Sequence, residues 1–241
     1  MTMQKAVSLL AIVPARMGSK GVPNKNKLLI AGRPLIEYTM LALEASCAVT
    51  QIIVTSDDPD ILNWYGSRAG VLTIARPAEL AGDESSTGDA VAHALKQWEA
   101  GGNILPEVIL VAQPTTPLRT ASDIDRSFDI FESRGRVPLI SACRAEGIRH
   151  PRVMYRLSTG GYGSPYNNSA QDNEPRQRFE PVFQRNGAIY LTSTSFFQTM
   201  GRFHDATPLI YEMPWERSIN IDGPGDFLIA KSLIESGILD G

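Results

Sequence analysis

Arg16, Lys20, Lys25 and Lys27 are threaded among Gly18, Ser19, Gly21 and Pro23, directly behind the mainly aliphatic residues 7–13. An apolar run ending in a glycine-containing loop is how a buried strand presents backbone N–H groups to a polyphosphate. The loop bends so that successive amides face one concavity, while the side-chain cations offset the phosphate charge. The chemistry on offer is anion binding and charge neutralisation, although a solvated basic loop shares the same composition. The stretch is not a Walker loop, because no Gly-Lys-Ser/Thr follows a four-residue spacer. Nor is it a dinucleotide fingerprint, because Gly18 and Gly21 supply too few of the required glycines. His93, His150 and His204 lack metal-ligand spacing and are given no role.

A loop of this kind needs strands whose ends converge. Pro34 occupies a first helical position, and Ile36, Met40 and Leu43 recur at helical spacing, which predicts an amphipathic helix to about residue 45. Residues 51–55 are short and β-branched, hence a strand. Asp58 and Pro59 open a helix with Ile61, Leu62 and Tyr65 inward, and Gly70 ends it before a strand at 71–74. This alternation winds a parallel sheet. After an irregular loop at 76–83, Ser86 and Asp89 predict a capping box for a helix carrying Val91, Leu95 and Trp98. The buried strand 108–112 runs into two prolines, Pro114 and Pro117, and Ser122 with Asp125 is expected to cap a helix bearing Ile124, Phe128 and Phe131. Loops at the carboxyl ends of parallel strands are where such sheets bind ligands.

Residues 139–143 read as a further strand and 152–157 alternate. Residues 158–177, rich in Gly, Asn, Ser and Pro, offer no helix or strand of their own, a length that marks a functional loop or an extension packed on a partner. Strands return at 187–192 and 208–213, and a helix at about 225–236 uses Phe227, Ala230, Leu233 and Ile234.

The 241 residues suit one α/β domain with an excursion. With 43% hydrophobic and 20% charged residues and a net charge of -3, the chain carries no global footprint for nucleic acid or an anionic membrane, so an anionic ligand must meet local clusters. Cys47 and Cys143 sit far apart in apolar contexts and are expected as reduced thiols of a cytoplasmic protein. Lys5 and the aliphatic run after it imitate a signal peptide, but Pro14, Arg16 and the lack of a small-x-small cleavage site argue against one. No apolar run approaches the ~20 residues of a membrane-spanning helix.

Five blocks in order resemble the acylneuraminate cytidylyltransferases, the CMP-sialic acid synthetases. They are residues 13–21 with the cationic loop, Arg76-Pro77-Ala78-Glu79-Leu80-Ala81, Gln113-Pro114-Thr115-Thr116-Pro117-Leu118-Arg119, Asn186-Gly187-Ala188-Ile189-Tyr190 and Ser218-Ile219-Asn220-Ile221-Asp222. The resemblance covers nearly the whole chain. It implies one three-layer α/β/α domain over residues 1–241, of the Rossmann-like nucleotide-diphospho-sugar transferase type, with a mostly parallel sheet and a small dimerisation extension at about 149–185. It further implies transfer from CTP to a 2-keto-3-deoxy sugar acid of N-acylneuraminate, legionaminate or pseudaminate type, with pyrophosphate released. A Kdo cytidylyltransferase, or a member that binds nucleotide with weak turnover, are the alternatives.

By the same resemblance, Arg16, Gly18, Ser19, Lys20 and Lys25 cradle the triphosphate, and Asn26, Arg76 and Thr87 meet the cytidine. Gln113, Thr115, Arg176, Asn186 and Tyr190 face the sugar acid, and Arg16, Lys25 and Asp222 carry catalysis. Asp222 with Asn220 is the implied site for Mg²⁺ or Mn²⁺, which takes one or two carboxylates together with phosphate oxygens and water. Attack of the anomeric hydroxyl on the α-phosphate needs alignment and charge spreading rather than covalent catalysis. A homodimer is implied, with arginines of the extension reaching a partner's sugar pocket, and no nucleic-acid or membrane partner. Two positions depart from the family pattern. The first of two aspartates commonly facing one way from the last block is here Asn220, which offers oxygen without charge. Where an arginine usually precedes Asn186 near the sugar carboxylate, this chain has Gln184 and Arg185.

Overall fold

The computed structural model describes residues 9–18, 21–82, 85–166 and 178–239. Strand β1 (Leu9–Pro14) leads through the cationic loop and a short hairpin, β2 (Leu29–Ile30) and β3 (Arg33–Pro34), into helix α1 (Leu35–Ala45). There follow β4 (Gln51–Ser56), α2 (Pro59–Gly66), β5 (Val71–Ala75), α3 (Thr87–Ala100), β6 (Val108–Val111), α4 (Ala121–Ser133) and β7 (Leu139–Arg144). A second small hairpin, β8 (Tyr155–Leu157) with β9 (Gly163–Pro165), precedes β10 (Phe183–Ser193), α5 (Thr194–Met200), β11 (Leu209–Glu212) and α6 (Pro224–Glu235).

The seven-stranded sheet has the order β11-β7-β10-β6-β1-β4-β5. Pairing is parallel throughout except along β10, which runs antiparallel to both β6 and β7. Strand β1 shows why the sheet must be covered on both faces. Leu9, Ala11 and Val13 pack with Ile36 and Met40 of α1 and Ile124 and Phe131 of α4, while Leu10 and Ile12 pack with Val91, Leu95 and Trp98 of α3. Every residue of β1 before Pro14 is buried, as a strand sandwiched between helical layers requires. The three-layer architecture expected from the sequence is therefore the one observed. The chain adds β4 and β5 on one side of β1 and then returns to β6 on the other. The crevice beyond the carboxyl ends of β1 and β6 is thus a topological switch point, the place where open α/β sheets bind ligands.

Several expectations need correction. Asn24, with a left-handed φ of 53°, adds a turn to the cationic loop that its glycines did not announce; the turn expected between Gly18 and Gly21 takes in Ser19 and Lys20 and so lies outside the described residues. Helix α4 is capped by Thr120 with Asp123, not by Ser122 with Asp125. Asp125 instead accepts from Ser46 Oγ at 2.5 Å and from the amides of Cys47 and Ala48, fastening the end of α1. The polar stretch 158–177 contributes β9, a strand not expected there, and α5 is an unexpected short helix capped by Ser193. Residues Ser19, Lys20 and Arg176 lie outside the described residues. Cys47 and Cys143 are unpaired, and no helix among the described residues is long and apolar enough to cross a membrane.

Candidate active site

The switch-point crevice opens as a cleft of about 230 Å³ lined by residues from five separate stretches of chain. Arg16, Lys25 and Asn26 come from the loop after β1, and Arg76 from the end of β5. Thr87, with Ser85 and Ser86, comes from the start of α3, Gln113 and Thr115 from the loop after β6, and Asn220 and Asp222 from the segment before α6. The structure therefore brings together Arg16, Lys25, Asn26, Arg76, Thr87, Gln113, Thr115, Asn220 and Asp222. A larger cavity, about 430 Å³, lies between α1 and the Ile234–Leu239 stretch, but its charge comes only from Arg33 and the fully engaged Arg119.

The four basic and amide side chains Arg16, Lys25, Asn26 and Arg76 are held by their neighbours. Arg16 Nη1 donates to the Gly82 carbonyl at 3.3 Å, and its own carbonyl accepts from Asn26 Nδ2 at 2.9 Å. Asn26 is 6% exposed, and that bond turns its Oδ1 away from Arg16 and leaves it without a partner. Arg76 is 8% exposed; Nη2 donates to the Thr55 carbonyl at 2.9 Å, whereas its Nε has no acceptor. Burial lowers the Arg76 pKa, opposed by the nearby Asp57 carboxylate. Lys25 Nζ donates to the Ile221 carbonyl at 2.8 Å. Burial also lowers the Lys25 pKa; Asp222 opposes this and Arg16 reinforces it. A cation so placed is partly stripped of water and made ready for an anion. Lys27, counted from the sequence among the cradle cations, is instead drawn away to Asp58 at 2.9 Å and Asp60 at 2.8 Å.

The segment 218–222 gives Asn220 and Asp222 to the cleft lining and is pinned in place. Ile221 N donates to the Thr115 carbonyl at 2.8 Å, and Asp226 Oδ2 accepts from the amides of Asp222 and Gly223 at 3.1 and 2.8 Å. Asn220 and Asp222 lie two residues apart, and Asn220 Nδ2 donates to Asp222 Oδ2 at 2.7 Å. That bond leaves Asn220 Oδ1 buried without a partner beside an exposed carboxylate. Among the described residues no group of three or more His, Cys, Asp or Glu side chains could hold a metal unaided. An orphaned neutral oxygen and one carboxylate suit a hard cation that draws its other ligands from phosphate and water.

Three sequence-assigned residues behave otherwise. Asn186 is 4% exposed and fully engaged inside the protein: Oδ1 accepts from Ser141 Oγ at 2.6 Å and Ala188 N at 3.1 Å, while Nδ2 donates to Ser218 Oγ at 2.9 Å. It buttresses the 218–222 segment and does not line the cleft. Tyr190 also lies outside the lining, 5.6 Å from Phe203 between ring centroids, its pKa raised by burial. Gly18 is exposed and is likewise outside the lining.

Arg119, present in a quoted block but given no role, is the central strut. It is 1% exposed and donates to the carbonyls of Ala188 at 2.7 Å and Gln113 at 2.8 Å and to Thr39 Oγ1 at 3.1 Å, tying β10 and α1 to the loop that carries Gln113. An arginine as the one charge in a block with two prolines was the available signal. Gly187, at φ +76°, gives the Gln113 side chain its seat, since a Cβ there would stand 2.6 Å from Gln113 Oε1.

Fold and cleft together define an α/β protein with a cation-lined cleft at its switch point. The sequence profile of the cytidylyltransferase family matches residues 10–203, and the chain belongs to that family. It is 28% identical over 220 residues to the N-acylneuraminate cytidylyltransferase of Streptococcus agalactiae serotype III, covering 91% of this chain and 51% of that protein. It is 27% identical over 228 residues to the CMP-N,N'-diacetyllegionaminic acid synthase of Legionella pneumophila, covering 94% and 96%. The chain thus spans about half the length of the N-acylneuraminate relatives and nearly all of the legionaminic relative. Among solved structures, CMP:2-keto-3-deoxy-manno-octonic acid synthetase complexed with CTP superposes with a TM-score of 0.69 at 16% identity, over 95% of this chain and 99% of that one. That likeness confirms the nucleotide-diphospho-sugar transferase type of fold.

Proposed function

We propose that the chain joins CTP to a sialic-acid-like 2-keto-3-deoxy sugar acid, of N-acylneuraminate, legionaminate or pseudaminate type, giving the CMP-sugar and pyrophosphate. The observation that carries the reading is the pair of unsatisfied buried atoms in the cleft, Asn26 Oδ1 and Arg76 Nε. The carbonyl of Arg16 demands the amide's NH₂, so an acceptor is left over; Arg76 leaves a donor. Cytosine presents an exocyclic amino donor beside ring acceptors and satisfies both, whereas uracil would set a carbonyl against Asn26 Oδ1.

Arg16 and Lys25 hold the triphosphate, and the start of α3 at Thr87 adds backbone donors. The anomeric oxygen of the sugar acid bonds to the α-phosphorus as the bond from that phosphorus to the pyrophosphate oxygen breaks, and the hydroxyl proton passes to water. Lys25 and Arg16 stay fixed while charge builds on the leaving pyrophosphate, so little reorganisation is needed at that moment. Gln113 and Thr115 lie on the strand-end loop that would face the sugar. Asp222 and Asn220 would hold Mg²⁺ or Mn²⁺, which supplies charge neutralisation at phosphate oxygens.

The extension at about 149–185 is assigned to homodimer contact. Tyr155 (57% exposed), Leu157 (79%) and Tyr162 (81%) support this, because large apolar side chains on one short hairpin are costly to leave in water. A cytoplasmic setting accords with two unpaired thiols. Calorimetry tests the nucleotide assignment. CTP should bind at least about tenfold tighter than UTP, the effect of leaving one buried polar group unsatisfied. Equal affinity for CTP and UTP, or for CTP and ATP, refutes it.

A further inference from the structure

Gly21 stands apart from the other glycines of the loop region. A Cβ placed on it would drive into the carbonyl oxygen of Asp222 and lie 3.0 Å from the carbonyl carbon, while one on Gly18 would meet nothing within 4 Å. Close approach accounts for the glycine: the bare Cα is where the cationic loop rests on the peptide of Asp222. The same junction is closed a second time by Lys25 Nζ on the Ile221 carbonyl at 2.8 Å. The far side of that segment cannot retreat, because Ile221 N is bonded to Thr115 O and the Asp222 and Gly223 amides to Asp226.

We propose that Gly21 is a positioning residue: it lets the cationic loop close onto the Asp222 peptide, so that the phosphate-binding cations and the metal-binding carboxylate act as one unit. The inference rests on the reading of Asp222 as a metal ligand given above. With a side chain at position 21 the loop must lift or the Asp222 peptide must swing. Either movement separates Arg16 and Lys25 from the carboxylate without removing any of the three. Metal and nucleotide would then help one another only through their direct contact, without the protein's link.

The test is the thermodynamic coupling between CTP and Mn²⁺, measured by calorimetry and Mn²⁺ resonance and needing no turnover. In the unaltered chain Mn²⁺ should tighten CTP by a factor within the roughly 5- to 150-fold range of linked sites. The Asp222→Ala chain gives the residual coupling that comes from metal on the nucleotide alone. Gly21→Ala should fall to that residual, the double variant Gly21→Ala/Asp222→Ala should fall no further, and metal-free CTP affinity should change little. Gly225→Ala, whose new Cβ meets open space, should keep full coupling. Retention of full coupling in Gly21→Ala, or its loss in Gly225→Ala, overturns the inference while leaving the metal reading intact. No coupling in the unaltered chain beyond the Asp222→Ala residual overturns the metal reading and the inference with it. A second readout needs no substitution: metal-free CTP should slow hydrogen exchange at the Asp222 amide, and an unchanged rate overturns the mechanical link.

Discussion

Replacing Arg119 by Met should destabilise the protein by about 2–5 kcal/mol, because a buried network loses its donor while the side-chain volume is nearly kept. The guanidinium is 1% exposed and serves three acceptors at 2.7 to 3.1 Å. Burial brings its pKa down to about 10, with Asp123 opposing, so it is charged at neutral pH. Methionine fills the space of the stem but leaves the carbonyls of Ala188 and Gln113 without that donor, at about 1–3 kcal/mol each. Relief of the buried charge offsets part of this. Against a total stability of roughly 5–15 kcal/mol the loss is large. Urea unfolding followed by tryptophan fluorescence reads it as a lower midpoint with an unchanged slope. A loss below about 1 kcal/mol would refute the strut, since even one stranded buried acceptor costs that much.

Three further outcomes follow from the same structure. Asp222→Ala should abolish metal-dependent turnover with the fold intact, and Asn220→Asp should tighten Mn²⁺ by adding a second carboxylate; near-normal turnover in Asp222→Ala would place the metal elsewhere. Asp123, desolvated but more strongly favoured as the anion by Arg217 at 2.7 Å and by Thr120, has a pKa lowered from 3.8. Its stabilising effect is therefore complete above about pH 4 and lost as pH falls through the lowered folded value, so acid unfolding of Asp123→Asn should lack that component; identical acid midpoints and slopes would contradict this. Sedimentation at micromolar concentration should give a dimer that Leu157→Asp with Tyr162→Asp converts to monomer, and a monomeric unaltered chain would remove the role given to the hairpin.

Periodicity and capping made most of the layered fold legible. The buried runs of β1, β4 and β6 and the stripes of α1 and α3 depend on local pattern alone. The reversal of β10 was not legible, because an antiparallel strand buried on both faces reads like a parallel one. Nor was the choice between two overlapping capping boxes: Thr120 with Asp123 and Ser122 with Asp125 are equal as local signals, and Asp125 is claimed by Ser46, far away in sequence. In the cleft, residue types located Arg16 and Lys25, whereas Asn26, Arg76, Gln113 and Asp222 were legible only through the resemblance of their blocks to the family. What distinguishes Asn186 from Asn26 is tertiary: one has every polar atom engaged by protein and the other keeps an oxygen free. Lys27 looked like a fourth cation of the cradle until the fold set it beside Asp58 and Asp60.

Pyrophosphate release from CTP, with the sugar product identified by mass, tests the central claim most directly. The panel is N-acetylneuraminate, N,N'-diacetyllegionaminate, a pseudaminate and Kdo. The account predicts metal-dependent release with one of the three nine-carbon acids, a CMP-sugar as co-product, and no release when UTP replaces CTP. Turnover confined to Kdo would contradict the substrate assignment, and no turnover with any acid at saturating CTP and Mg²⁺ would contradict the enzyme itself.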